Sequence, residues 1–287
     1  MSQSVPASRV VYVAGWMRSG TTLLCQLLGE RPGFVSMGEV SGVLRDYSRG
    51  GVCGCGDSIG ECEFWGPSLE GISFEEAKEL QSRHSRDFRT RYIFRNLRAG
   101  GARVSSAPAQ TAITALRQSA HSVGVDSSKL VPMIQAYENM GVSLCIVHII
   151  RDPRKVAASE LATSEYSRGG DHFMPPGSGV LTSALRWSLM NLIVKTYASW
   201  KTIPYQRVFF EDLIFDPSET IESLVSGMQV ATESGPGAAH IAVGNPSRNQ
   251  PVGTTLVETP RAGLTRMQSL AVRLVTYPVR KFLKTPY

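Results

Sequence analysis

Cysteine is scarce in this sequence, long apolar runs are missing, and acidic residues are outnumbered by basic ones. Five cysteines in 287 residues form an odd and sparse set, which argues against a secreted domain stapled by disulfides. No stretch reaches the roughly 18 uninterrupted apolar residues of a membrane span. Met1 to Arg9 lacks a charged start followed by an apolar core, so no secretory leader is read there. The cytoplasm is the expected compartment. No internal repeat is present. The 30 Lys and Arg against 24 Asp and Glu give a net charge of +6 and a pI near 9.2. That balance favours an anionic partner, whether nucleic acid, an acidic lipid surface or a phosphorylated ligand. What is present suits an ordinary globule: hydrophobic residues make up 42% and charged residues 19%, with 10 Phe, 9 Tyr and 4 Trp. Such a chain can bury a sizeable core and is neither disordered nor fibrous.

Along the chain, apolar runs of strand length alternate with helical patterns. Arg9-Val-Val-Tyr-Val-Ala14 is short, apolar and β-branched, as a strand buried on both faces is. After Gly15 the period changes: Leu23, Leu24, Leu27 and Leu28 form a helical stripe stopped by Gly29 and Pro32. Phe34 to Ser36 reads as a second strand, and residues 40–100 as irregular, with one polar helix from Phe74 to Arg95. Ala109 to His121 is helical, Ser122 to Val125 a strand and Val131 to Met140 a helix. Val142 to Ile150 is the strongest apolar run, closing on Arg151-Asp-Pro-Arg154 before another helix from Lys155 towards Thr163. A long amphipathic helix is expected over Leu181 to Trp200, a strand over Gln206 to Phe210 and a helix over Pro217 to Met228. Ser234 to Pro260 reads as a loop.

Strands alternating with helices imply an α/β architecture, a three-layer fold with a central, mainly parallel sheet flanked by helices. One domain is expected over 1–287, with 40–100 an inserted lid or acceptor-side region and 265–287 a basic tail. That tail, with Arg273, Arg280, Lys281 and Lys284 among Leu, Val and Phe, reads as an amphipathic surface helix broken at Pro278. It packs on the domain or touches a membrane.

The chemistry concentrates at the strand ends. Gly15-Trp-Met-Arg-Ser-Gly-Thr-Thr22 has the strand-loop-helix setting of a P-loop, in which backbone N–H groups and a helix N-terminus surround an anion. An ATP-using P-loop carries Lys at the position of Thr21. Here the cation has moved to Arg18, so a ligand of lower charge and no obligatory metal fits better. The partner strand, which in an ATPase commonly ends in a magnesium-positioning acid, ends in Arg151. Ser159 follows eight residues later, two turns into the helix, where it and Arg151 reach one anion. Cys53, Cys55 and Cys62 crowd a glycine-rich loop whose spacing is not the paired C-x-x-C of a zinc site. A local disulfide or a packed turn is the reading there, and no metal is expected. Cys25 and Cys145 read as core residues, and so does His148.

Arg18-Ser-Gly-Thr-Thr22 and Arg151-Asp-Pro-Arg-Lys-Val-Ala-Ala-Ser159 resemble the two nucleotide-binding signatures of the sulfotransferases, enzymes of P-loop-like fold. These use 3′-phosphoadenosine 5′-phosphosulfate (PAPS) and release adenosine 3′,5′-bisphosphate (PAP). The resemblance implies that Arg18, Ser19, Gly20, Thr21 and Thr22 hold the 5′-phosphosulfate and that Arg151 and Ser159 hold the 3′-phosphate. Val125 to Lys129, Phe210 to Leu213, the Cys-Gly-Cys-Gly loop with Cys62 and Trp65, and His240 to Arg248 are similar to elements of bacterial members. It further implies that Gly244, Asn245 and Arg248 fold over the nucleotide.

Catalysis then needs a base for an acceptor hydroxyl and cations for the departing phosphate. Arg18 suits the second role. Glu39, after the second strand, resembles the glutamate base of glycan sulfotransferases. Small-molecule cytosolic members carry a Lys-x-His pair where this chain has Asp126-Ser-Ser-Lys129. A histidine base is therefore absent, and Lys129 is expected to stabilise the transferring group or to pair with Asp126 or Glu39. The expected partners are the nucleotide donor and a hydroxyl-bearing, less readily an amine-bearing, acceptor; nucleic acid is not among them. The rival reading is a P-loop kinase or NTPase.

Overall fold

A computed structural model of the chain describes residues 9–87, 106–129, 131–166, 179–228, 235–243 and 263–287. Its centre is a six-stranded sheet built from β1 (Arg9–Ala14), β2 (Phe34–Gly38), β3 (Val123–Lys129), β4 (Ser143–Ile150), β5 (Tyr205–Phe209) and β6 (Ala238–Val243). Their order is β5-β4-β1-β3-β2-β6, and every pairing is parallel. The α/β architecture is thus as expected. Val10, Tyr12 and Ala14 face one core while Val11 and Val13 face the other, because successive strand residues point to opposite faces. A strand covered on both sides has no solvent face to keep polar, which is why β1 and β4 are continuous apolar runs.

On one face lie α1 (Thr21–Gly29), α9 (Phe210–Phe215) and α10 (Pro217–Gly227). The other face carries α5 (Ala107–Gln118), α6 (Val131–Asn139) and α8 (Val180–Lys201), with Trp187 and Tyr137 fully buried between them. Helix α7 (Pro153–Tyr166) follows β4 directly. Asp152 accepts from the Arg154 N–H at 2.8 Å and Pro153 takes the first helical position, so the Asp-Pro pair specifies the helix start.

Several boundaries and several elements differ from the sequence reading. Residues 238–243, read as loop, form the edge strand β6. Its Ala-Ala-His-Ile-Ala-Val lacks the β-branched density of the other strands, and Gly235 and Pro236 precede it, so local propensity concealed it. Residues 40–69 are not loose. They hold a 3₁₀ turn (Val40–Gly42), α2 (Val43–Tyr47) and α3 (Gly66–Leu69), and bury Val43, Leu44, Ile59, Phe64 and Trp65 in the core. Helix α4 (Phe74–Asp87) follows. The basic tail is one continuous helix, α11 (Arg266–Leu283), with Pro278 inside it rather than at a break. Its capping box (Thr265 and Gln268) secures the start, and Val272, Thr276, Arg280 and Leu283 line its buried side.

Helix α1 leads from β1 to β2 on one side, whereas the segments after β4 lead to β5 on the other. The chain therefore diverges between β1 and β4. In open parallel sheets this divergence leaves a crevice at the carboxyl ends of the two strands, where ligands bind.

Candidate active site

The β1–α1 loop forms one wall of that crevice. Gly20 adopts φ 91°, and a Cβ there would lie 2.3 Å from the Phe210 ring, so only glycine fits. Ser19 donates its N–H to the Trp16 carbonyl at 3.2 Å, closing a tight turn that puts Arg18 at φ 64°. Helix α1 then starts with no acidic residue in its first turn, leaving its unpaired N–H groups and positive dipole end for an anion. Thr21 is buried and Thr22 half-buried beside it. The Ser19 hydroxyl is fully buried with no hydrogen-bond partner. A buried orphan hydroxyl is costly without a ligand, so this wall fits a phosphate or sulfate group.

The β4–α7 segment forms the other wall, and in the register Ala14 to His148 β4 runs two residues beyond the end of β1. Arg18 donates from Nε to Ser159 Oγ at 2.9 Å, and Arg151 donates from Nη1 to the Arg18 carbonyl at 2.8 Å. Three of the residues singled out by sequence, separated by as many as 141 positions, thus meet directly. Arg151 is further fixed by the Phe210 ring, 4.2 Å from its guanidinium carbon, and by the Trp187 indole N–H on its carbonyl at 3.2 Å.

Glu39 and Lys129 form a second cluster at the ends of β2 and β3. Lys129 donates from Nζ to Glu39 Oε1, and their side chains are 12% and 29% exposed, half-sheltered yet reachable from solvent. Strands β1 and β2 are separated by β3, which sets their ends about 10 Å apart. Gly38, at φ 75°, turns the chain out of β2. The Glu39 N–H donates to the Val243 carbonyl at 2.8 Å, tying this segment to β6.

Asp126 lies beneath. It accepts from the Ser128 N–H at 2.7 Å, the Ser128 hydroxyl at 2.5 Å, the Tyr137 hydroxyl at 2.9 Å and the Val40 N–H at 3.4 Å. Burial lifts its carboxyl to about 6, against those hydrogen bonds, which pull it down. The Lys129 partner is therefore Glu39, and Asp126 serves the backbone around it.

Sequence reasoning missed the supports of the crevice. Trp16 donates its indole N–H to Glu160 at 2.7 Å, and burial raises the Glu160 carboxyl above its ordinary range. Tyr287 donates to Glu211, which also accepts from the Asp152 N–H at 3.3 Å. The visible signal was Glu160, an acid next to Ser159 in the helix that follows β4. His148 behaves as the core histidine expected, between Asn191 at 2.7 Å and Tyr205 at 2.9 Å; burial lowers it to about 4. Cys25 and Cys145 are buried. Cys53, Cys55 and Cys62 are free thiols, with sulfur separations of 3.6 Å and 3.7 Å, so the disulfide reading does not hold. Asn245 and Arg248 lie outside the described residues, as does Gly244.

No family model matches the chain, and no curated protein matches it. Solved structures do. The sulfotransferase domain from the Synechococcus PCC 7002 olefin synthase superposes with a TM-score of 0.54 at 16% identity, covering 99% of this chain and 98% of its own. The sulfotransferase domain from the curacin biosynthetic pathway gives 0.52 at 13% identity, covering 97% and 98%. Across its length, this chain has the fold of sulfotransferase domains.

Proposed function

We propose that the protein is a sulfotransferase that moves a sulfuryl group from PAPS to a hydroxyl, or less readily an amine, of a small-molecule, glycolipid or saccharide acceptor. The observation that carries this reading is the meeting of Arg18, Ser159 and Arg151 at the β1–β4 divergence. Their two guanidinium groups, together with the buried and unpartnered Ser19 hydroxyl, suit an anionic nucleotide. A kinase would need a Lys at Thr21 and an acidic β4 end to position magnesium; this chain has neither.

In this reading the first turn of α1, Ser19, Thr21 and Thr22 hold the 5′-phosphosulfate, and Arg151 with Ser159 holds the 3′-phosphate. Asn245 and Arg248 add contacts to the nucleotide. Glu39 takes the acceptor proton as the acceptor oxygen bonds to sulfur and the bond from sulfur to the bridging phosphate oxygen breaks. Arg18 and the α1 N–H groups receive the charge that develops on that oxygen. Lys129 orients Glu39 and faces the transferring group. No step requires a metal.

Thermal unfolding with nucleotides tests the donor. PAP without magnesium is expected to raise the unfolding temperature, and ATP with magnesium to do less. Stabilisation by magnesium-ATP alone would favour the kinase and overturn the proposal. Labelled-sulfate transfer from PAPS into an extract of the producing cell then identifies the acceptor.

We further assign α11 to peripheral membrane contact. Met267, Leu270, Leu274 and Tyr277 lie exposed on it at helical spacing, with Arg273 and Lys281 on the same helix. Among the described residues, no helix is long and apolar enough to cross a membrane.

A further inference from the structure

Cys53, Cys55, Cys62 and His240 place three sulfurs and one imidazole nitrogen within 4.8 Å of one another. We propose that these four residues bind one zinc ion, which pins the cysteine loop to the edge strand β6. This inference is independent of the sulfotransferase reading.

Geometry carries it. A tetrahedral zinc with bonds of about 2.3 Å to sulfur and 2.0–2.1 Å to nitrogen needs sulfur-to-sulfur edges of about 3.8 Å and sulfur-to-nitrogen edges of about 3.5 Å. The Cys62 sulfur lies 3.6 Å from Cys53 and 3.7 Å from Cys55, and 3.3 Å from His240 Nδ1. These separations are too long for disulfides and close to those of a shared ion.

The surroundings match as well. Ligating histidines usually donate the other ring N–H to a carboxylate, which fixes the tautomer. His240 presents Nε2 to Glu63 at 3.5 Å while Nδ1 faces the sulfurs. Phe64 stacks on the imidazole at 5.3 Å, and the Trp65 indole N–H donates to the His240 carbonyl at 2.6 Å. Backbone bonds shape the loop: Cys53 N–H to Asp57 at 2.8 Å, Gly56 N–H to Cys53 at 3.0 Å and Cys62 N–H to Ser58 at 2.9 Å. Cys53, Cys62 and His240 are buried and Cys55 is exposed, which leaves an entry path.

Four protein ligands close the coordination sphere, so the site is structural rather than catalytic. Binding forms three Zn–S bonds and one Zn–N bond and releases three thiol protons to solvent, with no change of oxidation state. The loop already pairs with β6 through the Gly54 N–H and the Ile241 carbonyl at 3.0 Å. An ion there fixes β6, and with it the Val243 carbonyl that holds the Glu39 N–H. Sequence spacing hid the site because its fourth ligand lies 178 positions from Cys62.

Elemental analysis of the full chain, produced with zinc in the medium and dialysed, tests this directly. About one zinc per chain is expected. Stripped protein should take up cobalt(II) with a thiolate-to-metal absorption band. Cys55→Ser, at an exposed ligand, should lose the zinc, whereas Cys145→Ser should retain it. Glu63→Gln should weaken zinc about tenfold in chelator competition. Protein with only trace zinc whose stripped form gives no cobalt band, stoichiometric iron instead of zinc, or a mass showing a Cys53–Cys62 disulfide would each overturn the proposal.

Discussion

Individual side chains set the terms of the proposed binding and catalysis. Arg151 makes contacts to the Arg18 carbonyl and the Phe210 ring, so its guanidinium is held in place before any ligand arrives. Arg151→Ala should weaken PAP by about 2–3 kcal/mol, the scale of a lost charge-assisted contact; calorimetric titration showing unchanged affinity would remove it from the site. Glu39→Gln should leave PAP affinity near wild type and lower turnover by roughly 100-fold or more, because only the proton acceptor is lost. Asp126 gives a pH signature. Its carboxyl titrates near 6 in the fold, against 3.8 when unperturbed, so the folded state holds the proton more tightly. The stabilisation is full below about pH 4 and is lost as the pH rises through 6, on the order of 2–3 kcal/mol. Asn cannot titrate. Denaturation of both proteins from pH 4 to 7 should therefore show Asp126→Asn gaining on wild type across that window, and a flat difference would mean that Asp126 is ionised throughout.

At the scale of elements, the candidate site residues Glu39, Lys129 and Arg151 sit where strands stop. Gly38 makes this happen for Glu39: at φ 75°, a Cβ would lie 2.5 Å from the Val243 carbonyl oxygen of β6. Gly38→Ala should cost about 1–3 kcal/mol and displace Glu39. Gly50 has a similar φ of 67° with nothing within 4 Å. Gly50→Ala isolates the backbone strain and should cost less; equal shifts in denaturation midpoint would show that the β6 contact adds nothing. Five of the six strands were legible in sequence because burial on both faces, or an adjacent glycine or proline, marked them. β6 was not, since it depends on pairing with β2, a contact that no local pattern records. The two loops proposed to bind anions were legible for the converse reason: strand, short turn and helix are consecutive in the chain, with Gly15 and Gly20 marking the first turn and Asp152-Pro153 the second.

For the whole molecule, the sheet does what sequence cannot display. The Arg18–Ser159 bond, the Lys129–Glu39 pair and the Cys62–His240 contact join positions 141, 90 and 178 residues apart, and only strand order brings them together. The same fold leaves one helix with two characters. Helix α11 turns Val272, Thr276 and Leu283 inward and leaves Leu270 at 49% and Leu274 at 67% exposure. With a net charge of +6, an anionic bilayer offers both a counter-charge, at about 1 kcal/mol for each cation near the surface, and an apolar layer for the stripe. Binding to vesicles containing phosphatidylserine should exceed binding to neutral ones and decline as salt is raised. Leu270→Glu with Leu274→Glu should cut it at least about tenfold, since each change removes apolar burial worth up to about 1.5–3 kcal/mol and adds repulsion. PAP-induced stabilisation of the double variant should match wild type, because the stripe faces away from the buried side of α11. Cosedimentation unaffected by lipid charge or by the two substitutions would show that this face does not meet the bilayer.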